Sequence, residues 1–140
     1  MQIATWNVNS LKVRLPQVLD WLNQHPEISA LAIQETKLED VNFPQAEIEA
    51  AGLHVAYAGQ KTYNGVAIIS RMPLSNITIN IPGLDDPQKR VIAANVGPIR
   101  LICVYVPNGQ ALDSDKYPYK LNWLASLTSW LATELKQHPR

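Results

Sequence analysis

Two apolar segments near the start of the chain each end at or next to a polar residue, and they constrain the fold more than any other feature. The first, residues 2–8, is rich in β-branched and aromatic residues, which is typical of a strand, and it reaches Asn7. The second, residues 28–33, is almost continuously apolar, as expected of a strand buried on both faces, and it leads to Glu35. Between them, leucines at helical spacing predict a helix with Ser10 as its N-cap.

A strand, a helix and a second strand in this order predict a βαβ unit. Because the crossover of such a unit leaves its two strands parallel, both carboxyl ends lie at the same edge of the sheet. We therefore predict that Asn7 and Glu35 are close neighbours although they are distant in the sequence. An amide and a carboxylate supply hard oxygen ligands, which suit Mg²⁺.

The rest of the chain alternates between further strands and helices. Alternating or continuous apolar patterns predict strands over residues 53–58, 66–70, 76–81, 91–96 and 99–106. A short helix is predicted over residues 42–51, with Gly52 as its stop, and a long helix with a wide apolar face over residues 117–138. The predicted fold class is α/β, with a mixed β-sheet and helices on one face, and at 140 residues the chain is about the size of one domain.

Composition limits the classes of function. Lys and Arg together number 12, as do Asp and Glu, so the net charge gives no indication of nucleic-acid binding. The single cysteine, Cys103, excludes an internal disulfide, fits a reducing cytosol and is interpreted as a small buried hydrophobe. We see no signal peptide, and no apolar run approaches the roughly 20 residues of a membrane span. We therefore expect a cytoplasmic protein without a membrane partner.

Each polar residue near a strand end also has an ordinary structural interpretation. An Asn after a strand is commonly a turn or cap residue, and a carboxylate such as Glu35 is commonly only solvated. Tyr105, which precedes Val-Pro, is commonly a core residue with its hydroxyl at the rim. Lys37 and Arg90 are by default solvated charges, although with Tyr105 they have the chemistry to bind phosphate. Taken singly, none of these residues defines a function.

Four short motifs, in the same order along the chain, resemble successive motifs of the exonuclease III branch of the exonuclease–endonuclease–phosphatase family. They are Thr5-Trp6-Asn7-Val8-Asn9-Ser10-Leu11, Ile33-Gln34-Glu35-Thr36-Lys37, Asn64-Gly65-Val66-Ala67-Ile68 and Tyr105-Val106-Pro107-Asn108-Gly109. The resemblance extends over residues 1–140. It implies half of a four-layered α/β sandwich, with the site where the edges of the sheets meet.

The resemblance also implies Mg²⁺- or Mn²⁺-dependent hydrolysis of DNA phosphodiesters. Members of the exonuclease III branch remove nucleotides from the 3′ ends of double-stranded DNA and cut beside abasic sites, as in base excision repair. By the matching motifs, Asn7 and Glu35 would be metal-site residues and Tyr105 the active-site tyrosine near the scissile phosphate. The residues expected to contact DNA or phosphate are Lys37, Arg90, Asn108 and Lys120. A full-length member is expected to be a monomer.

Several motifs of the family are absent from the sequence: a Gly-Asp-x-Asn after the long helix, a later Asp and a Ser-Asp-His. In the family these residues supply the base or proton donor and the His that contacts the phosphate. The chain thus resembles the N-terminal half of the enzyme. We predict that it is inactive alone, and that an uncovered apolar sheet face makes it poorly soluble or oligomeric.

Two other functions stay open. One is a metal phosphoesterase of the same family that acts on a phospholipid or inositol phosphate head group. The other is a non-catalytic DNA-binding or assembly module, in which the half-fold pairs with another chain. Steeply salt-dependent DNA binding without metal-dependent cleavage would favour the second of these.

Overall fold

The computed structural model describes every residue from Met1 to Arg140 and contains two β-sheets and three α-helices. The strands are β1 (Gln2–Asn7), β2 (Ile28–Gln34), β3 (His54–Ala58), β4 (Val66–Ser70), β5 (Leu74–Ile79), β6 (Val91–Val96) and β7 (Ile99–Val104). The helices are α1 (Leu11–Gln24), α2 (Gln45–Ala50) and α3 (Lys116–Gln137), and Asp40–Asn42 forms a 3-10 turn. None of the helices combines the length and apolar character needed to cross a lipid bilayer.

The first sheet has the strand order β1-β2-β4-β3. Strands β1 and β2 are parallel, whereas β4 is antiparallel to both β2 and β3, so the sheet is mixed as predicted. The parallel ladder ends with Asn7 paired to Gln34. The βαβ unit inferred from the sequence is therefore present, and it places residues 7 and 35 at one edge.

The second sheet is an antiparallel meander with the order β5-β6-β7, and it stacks face to face on the first sheet. The interface between the sheets consists of small and branched side chains, among them Ala30, Ala32, Val66, Ile68, Ile92 and Ala94. Helices α1 and α2 cover the outer face of the first sheet, and α3 covers the outer face of the second. The chain thus forms four layers in the order helix, sheet, sheet, helix.

The prediction of an uncovered sheet face is wrong, because each sheet has helices on one face and the other sheet on the opposite face. The exposed parts are edges instead. Strand β1 has β2 as its only neighbour, and each of its residues is exposed or half-buried. Helix α3 packs on the second sheet mainly through Trp123, Leu127 and Trp130, whereas Leu121 and Leu135 are exposed.

Helix α1 is fixed at both ends by contacts other than the predicted cap. Ser10 occupies the N-cap position, but its hydroxyl makes no capping bond, because its φ of 92° turns the chain away from cap geometry. Instead, the backbone nitrogens of Ser10 and Leu11 donate to the carbonyls of Glu35 and Thr36 at 2.8 and 3.0 Å. At the other end, the Arg71 guanidinium donates to carbonyls of the last turn of α1 and the segment after it. The start of α1 is therefore tied directly to the segment that follows β2.

Strand β5 lies two positions earlier than predicted. It pairs over Leu74–Ile79 with a bulge between Ser75 and Thr78, where Asn76 has a φ of 52°. The strand ends before Asn80, whose φ of 65° is left-handed. The isoleucine alternation correctly identified a strand, but it does not reveal the bulge, which shifts the residues that pair.

Candidate active site

Asn7, Glu35 and Tyr105 meet at one edge of the two stacked sheets, although they lie at the ends of strands that belong to different sheets. The amide nitrogen of Asn7 donates to Oε1 of Glu35 at 2.9 Å. The phenol of Tyr105 lies close enough to the same carboxylate that each group shifts the pKa of the other. The geometry therefore brings together the three side chains on which the predicted site depends.

Lys37 and Asn9 complete the polar cluster around Glu35. The Nζ of Lys37 donates to Oδ1 of Asn9 at 2.6 Å and lies 3.6 Å from Oε2 of Glu35. The backbone nitrogen of Asn9 donates to Oδ1 of Asn7 at 3.1 Å. Because the oxygen of Asn7 is held by Asn9, its amide nitrogen faces Glu35 and orients the carboxylate.

The carboxyl of Glu35 is biased towards its charged form. Burial raises the pKa of Glu35, but hydrogen bonds from Asn7 and Tyr105 and the charge of Lys37 together outweigh burial and hold the pKa below its ordinary 4.5. Burial raises the pKa of Tyr105, and Glu35 raises it further, against the opposing charge of Arg90. At neutral pH the site thus presents a carboxylate beside a protonated phenol, which donates a hydrogen bond and is not a base.

Asn7→Ala is expected to raise the pKa of Glu35, because it removes a hydrogen bond that favours the charged form. A folded pKa below the unfolded value stabilises the fold above the unfolded pKa, and this contribution is lost as pH falls through the folded pKa. The variant should therefore be less stable than the parent at neutral pH, with a difference that shrinks in acid. A ¹³C NMR titration of Glu35 measures the shift, with Asn122→Ala on the exposed surface of α3 as the control. An unchanged titration in Asn7→Ala would contradict the assigned role.

The backbone around Glu35 is braced by the turn before β4. Glu35 and Lys37 have positive φ angles of 58° and 56°. The backbone nitrogens of Thr36 and Lys37 donate to the carbonyls of Gly65 and Asn64 at 3.2 and 2.9 Å. Gly65 also donates to the carbonyl of Lys89 at 2.9 Å, which joins the brace to the segment before β6. An Asn-Gly pair is typical of a tight connection between strands, but its role in supporting Glu35 is a tertiary contact that the sequence does not show.

Arg90 packs against Tyr105 and fixes its position. The Arg90 Cζ lies 4.9 Å from the centroid of the Tyr105 ring, and Nη1 donates to the Tyr105 carbonyl at 3.2 Å. The backbone nitrogen of Tyr105 in turn donates to the carbonyl of Arg90 at 2.8 Å. Arg90 thus lies at the site, as predicted, and supports the tyrosine from the second sheet.

Asn108 and Lys120 differ in where the structure places them. Asn108 is exposed and lines the same pocket as Tyr105. Lys120 does not line that pocket, since its Cδ packs towards Gly109. The lysine that lines it is Lys116, the first residue of α3. Sequence reasoning missed Lys116, Tyr63 and Gln60 because no motif included them.

The donor set at the site fits a divalent cation that is held weakly. The chain contains no cluster of three or more His, Cys, Asp or Glu side chains that would form a closed metal cage. Mg²⁺ is commonly held by one or two carboxylates, with water and substrate phosphate completing its shell. Glu35 supplies such a carboxylate, with the amide of Asn7 against it. Their role as metal-site residues stays a prediction.

Four stacked layers with a polar site at one edge of both sheets define an α/β-sandwich protein. The chain belongs to the endonuclease/exonuclease/phosphatase family, whose model matches residues 4–140. Family membership and the two-sheet α/β fold confirm what the motifs and the apolar patterns predicted.

Similar proteins include several nucleases. Exodeoxyribonuclease III of Haemophilus influenzae is 31% identical, and the match covers 96% of this chain and 52% of that protein. The structure of the 3′-5′ exonuclease of Neisseria meningitidis superimposes with a TM-score of 0.96 at 50% identity, covering 99% of this chain and 54% of that one. The structure of an AP endonuclease of Archaeoglobus fulgidus superimposes with a TM-score of 0.88 at 40% identity, and the match covers 94% of this chain and 51% of that one. The chain thus spans about half the length of these relatives.

Proposed function

We propose that the complete gene product containing this chain is a divalent-metal-dependent deoxyribonuclease. Its substrate is double-stranded DNA, from which it removes nucleotides at 3′ ends and which it cuts beside abasic sites during base excision repair. The observation that carries this proposal is the convergence of Asn7, Glu35 and Tyr105 at the sheet edge. Relatives named as an exodeoxyribonuclease, a 3′-5′ exonuclease and an AP endonuclease support it, as does a Neisseria 3′ phosphatase whose structure holds a product DNA hairpin.

Each residue of the site has a distinct part in this proposal. Glu35 would hold Mg²⁺ or Mn²⁺. This role fits its charged carboxylate and the divalent-metal dependence of exonuclease III-like members of the family. The cation supplies positive charge that polarises the phosphate. Tyr105 donates its phenolic proton to a hydrogen bond with a phosphate oxygen, and Arg90 holds its ring in place. Asn7 orients the Glu35 carboxylate.

The side chains gathered at the site do not supply every group that hydrolysis needs. Attack on a phosphodiester also requires a group that activates water and one that protonates the leaving oxygen. Tyr105 is unsuited to the first role, because burial and Glu35 raise its pKa. We therefore infer that this chain is inactive alone, and that the complete gene product supplies these groups from other residues.

Tyr105→Phe in the complete gene product is expected to lower kcat for cleavage of abasic duplex DNA by about a hundredfold, because one donor to the phosphate is lost. KM should change little, since the ring and its contact with Arg90 remain. The control is Tyr57→Phe, whose hydroxyl bonds Gln45 away from the site. A parent-like kcat in Tyr105→Phe would refute the role of the phenol.

The same assay separates the proposal from its alternatives. Faster hydrolysis of inositol phosphates than of abasic DNA would identify a phosphoesterase of another specificity. DNA binding that weakens steeply with salt, without cleavage on addition of Mg²⁺ or Mn²⁺, would identify a binding module.

A further inference from the structure

The segment between β5 and β6, residues 80–90, forms neither helix nor strand, so side-chain contacts decide where it lies. Arg90 ends this segment, and its guanidinium packs on the ring of Tyr105. The Arg90 side chain has two hydrogen-bond partners, the Tyr105 carbonyl at 3.2 Å and Oε1 of Gln88 at 2.7 Å. The bond to Gln88 is the shorter, and it alone comes from outside the tyrosine. The direction of the guanidinium therefore depends on Gln88.

Gln88 is held in turn by the carboxylate of Asp86. The backbone nitrogen of Gln88 donates to Oδ1 of Asp86 at 2.9 Å, which closes the local turn that an aspartate forms with the backbone two residues further on. Asp86, Gln88 and Arg90 are all half-buried, so water competes only in part for these bonds. The position of Arg90 thus follows from the orientation of the Asp86 carboxylate.

The second oxygen of Asp86 is fixed by helix α3. The hydroxyl of Tyr119, in the first turn of that helix, donates to Oδ2 of Asp86 at 2.6 Å. A hydrogen bond to a charged acceptor is stronger than one between neutral groups. The ring of Tyr119 packs against the apolar cluster between α3 and the second sheet, which includes Val91 and Trp123. The hydroxyl therefore reaches Asp86 from a side chain that is itself anchored.

We propose that Tyr119 and Asp86 are positioning residues for Tyr105. Together they hold Gln88, and through it the Arg90 guanidinium, against the tyrosine ring. Without the Tyr119 hydroxyl, one oxygen of the half-buried Asp86 carboxylate has no donor, and the carboxylate turns towards water. That rotation releases the Gln88 nitrogen and loosens Arg90. The effect on catalysis rests on the proposed function, whereas the link from Tyr119 to Arg90 rests only on these contacts.

The link can be tested on this chain without cleavage. In the parent chain the Arg90 side chain lies over the Tyr105 ring, so the ring current should shift the NMR signals of its protons upfield. Tyr119→Phe keeps the packed ring and removes only the hydroxyl, and it is expected to move these signals towards the positions of a solvent-exposed arginine. Tyr57→Phe is the matched control, because its hydroxyl bonds Gln45 at 2.7 Å. Parent-like Arg90 signals in Tyr119→Phe would overturn the proposal.

Kinetics of the complete gene product test the consequence for catalysis. Tyr119→Phe should lower kcat for abasic duplex DNA by about tenfold and leave KM nearly unchanged, because Tyr105 is displaced but not removed. Asp86→Asn keeps an oxygen that can accept from the Gln88 nitrogen, so it should retain more of kcat than Asp86→Ala does.

A double-substitution cycle separates positioning from a general loss of stability. If Tyr119 acts through Arg90, Tyr119→Phe should add nothing to the loss of kcat that Arg90→Ala already causes. Additive losses would overturn the proposal, since they would show that Tyr119 affects kcat by another route. Failure of the complete gene product to cleave DNA would refute the nuclease proposal, and the NMR signals of Arg90 would still decide whether Tyr119 positions it.

Discussion

Glu35→Gln is expected to lower the rate of DNA cleavage by the complete gene product about a thousandfold. The substitution keeps the size and hydrogen-bonding capacity of the side chain but removes its charge. Glu35 is the carboxylate towards which Asn7, Lys37 and Tyr105 are directed, and its lowered pKa keeps it charged at neutral pH. Because a neutral amide is a poor ligand for Mg²⁺ or Mn²⁺, the variant should lose activity by failing to bind the cation.

Cation binding can be measured on this chain without any cleavage assay. Titration with Mn²⁺, followed by electron paramagnetic resonance of the free ion, should show weak binding by the parent and at least tenfold weaker binding by Glu35→Gln. Glu49→Gln is the matched control, because Glu49 bonds Gln45 on the exposed surface of α2. Parent-like Mn²⁺ affinity and cleavage in Glu35→Gln would refute the assignment of Glu35 to the metal site.

The proximity of Asn7 and Glu35 could be predicted from the sequence because it depends on local sequence patterns and on the geometry of one βαβ unit. Apolar patterns identified two strands and a helix, and the geometry of a right-handed crossover then fixed which strand ends meet. Neither step requires knowledge of tertiary packing. The proximity of these two polar side chains could therefore be predicted before the fold was known.

Other features depend on packing that local patterns do not encode. The predicted apolar face of α3 is wide, but the sequence does not show that Trp123 and Trp130 are buried against the second sheet whereas Leu121 and Leu135 are exposed. The turn at Asn64 and Gly65 is recognisable locally, but its contact with Thr36 is not. Lys116 and Lys120 lie one helical turn apart, but only Lys116 lines the pocket of Tyr105, and this depends on how α3 packs against the sheet.

Gly65→Ala is expected to destabilise the chain by about 3 kcal/mol and to weaken Mn²⁺ binding at Glu35, although Gly65 itself contacts no metal-site side chain. Gly65 has a φ of 95°, and a Cβ there would lie 2.0 Å from Oγ1 of Thr36. Thr36 is 1% exposed, so it has no space into which to move. The Glu35–Lys37 segment must shift instead, which lengthens the hydrogen bonds to Gly65 and Asn64.

Two further substitutions, Gly52→Ala and Thr36→Ala, together with the double variant Thr36→Ala/Gly65→Ala, separate the steric clash from the backbone strain. Gly52 has a similar φ of 83°, and a methyl group added there would have no atom within 4 Å, so Gly52→Ala should cost only about 1 kcal/mol and leave Mn²⁺ binding unchanged. Thr36→Ala removes a buried hydroxyl that has no hydrogen-bond partner, so combined with Gly65→Ala it should recover part of the lost stability. Urea denaturation of the four variants gives the coupling free energy. Equal losses in Gly65→Ala and Gly52→Ala, with no coupling to Thr36, would show that strain alone explains the effect and that the turn does not brace Glu35.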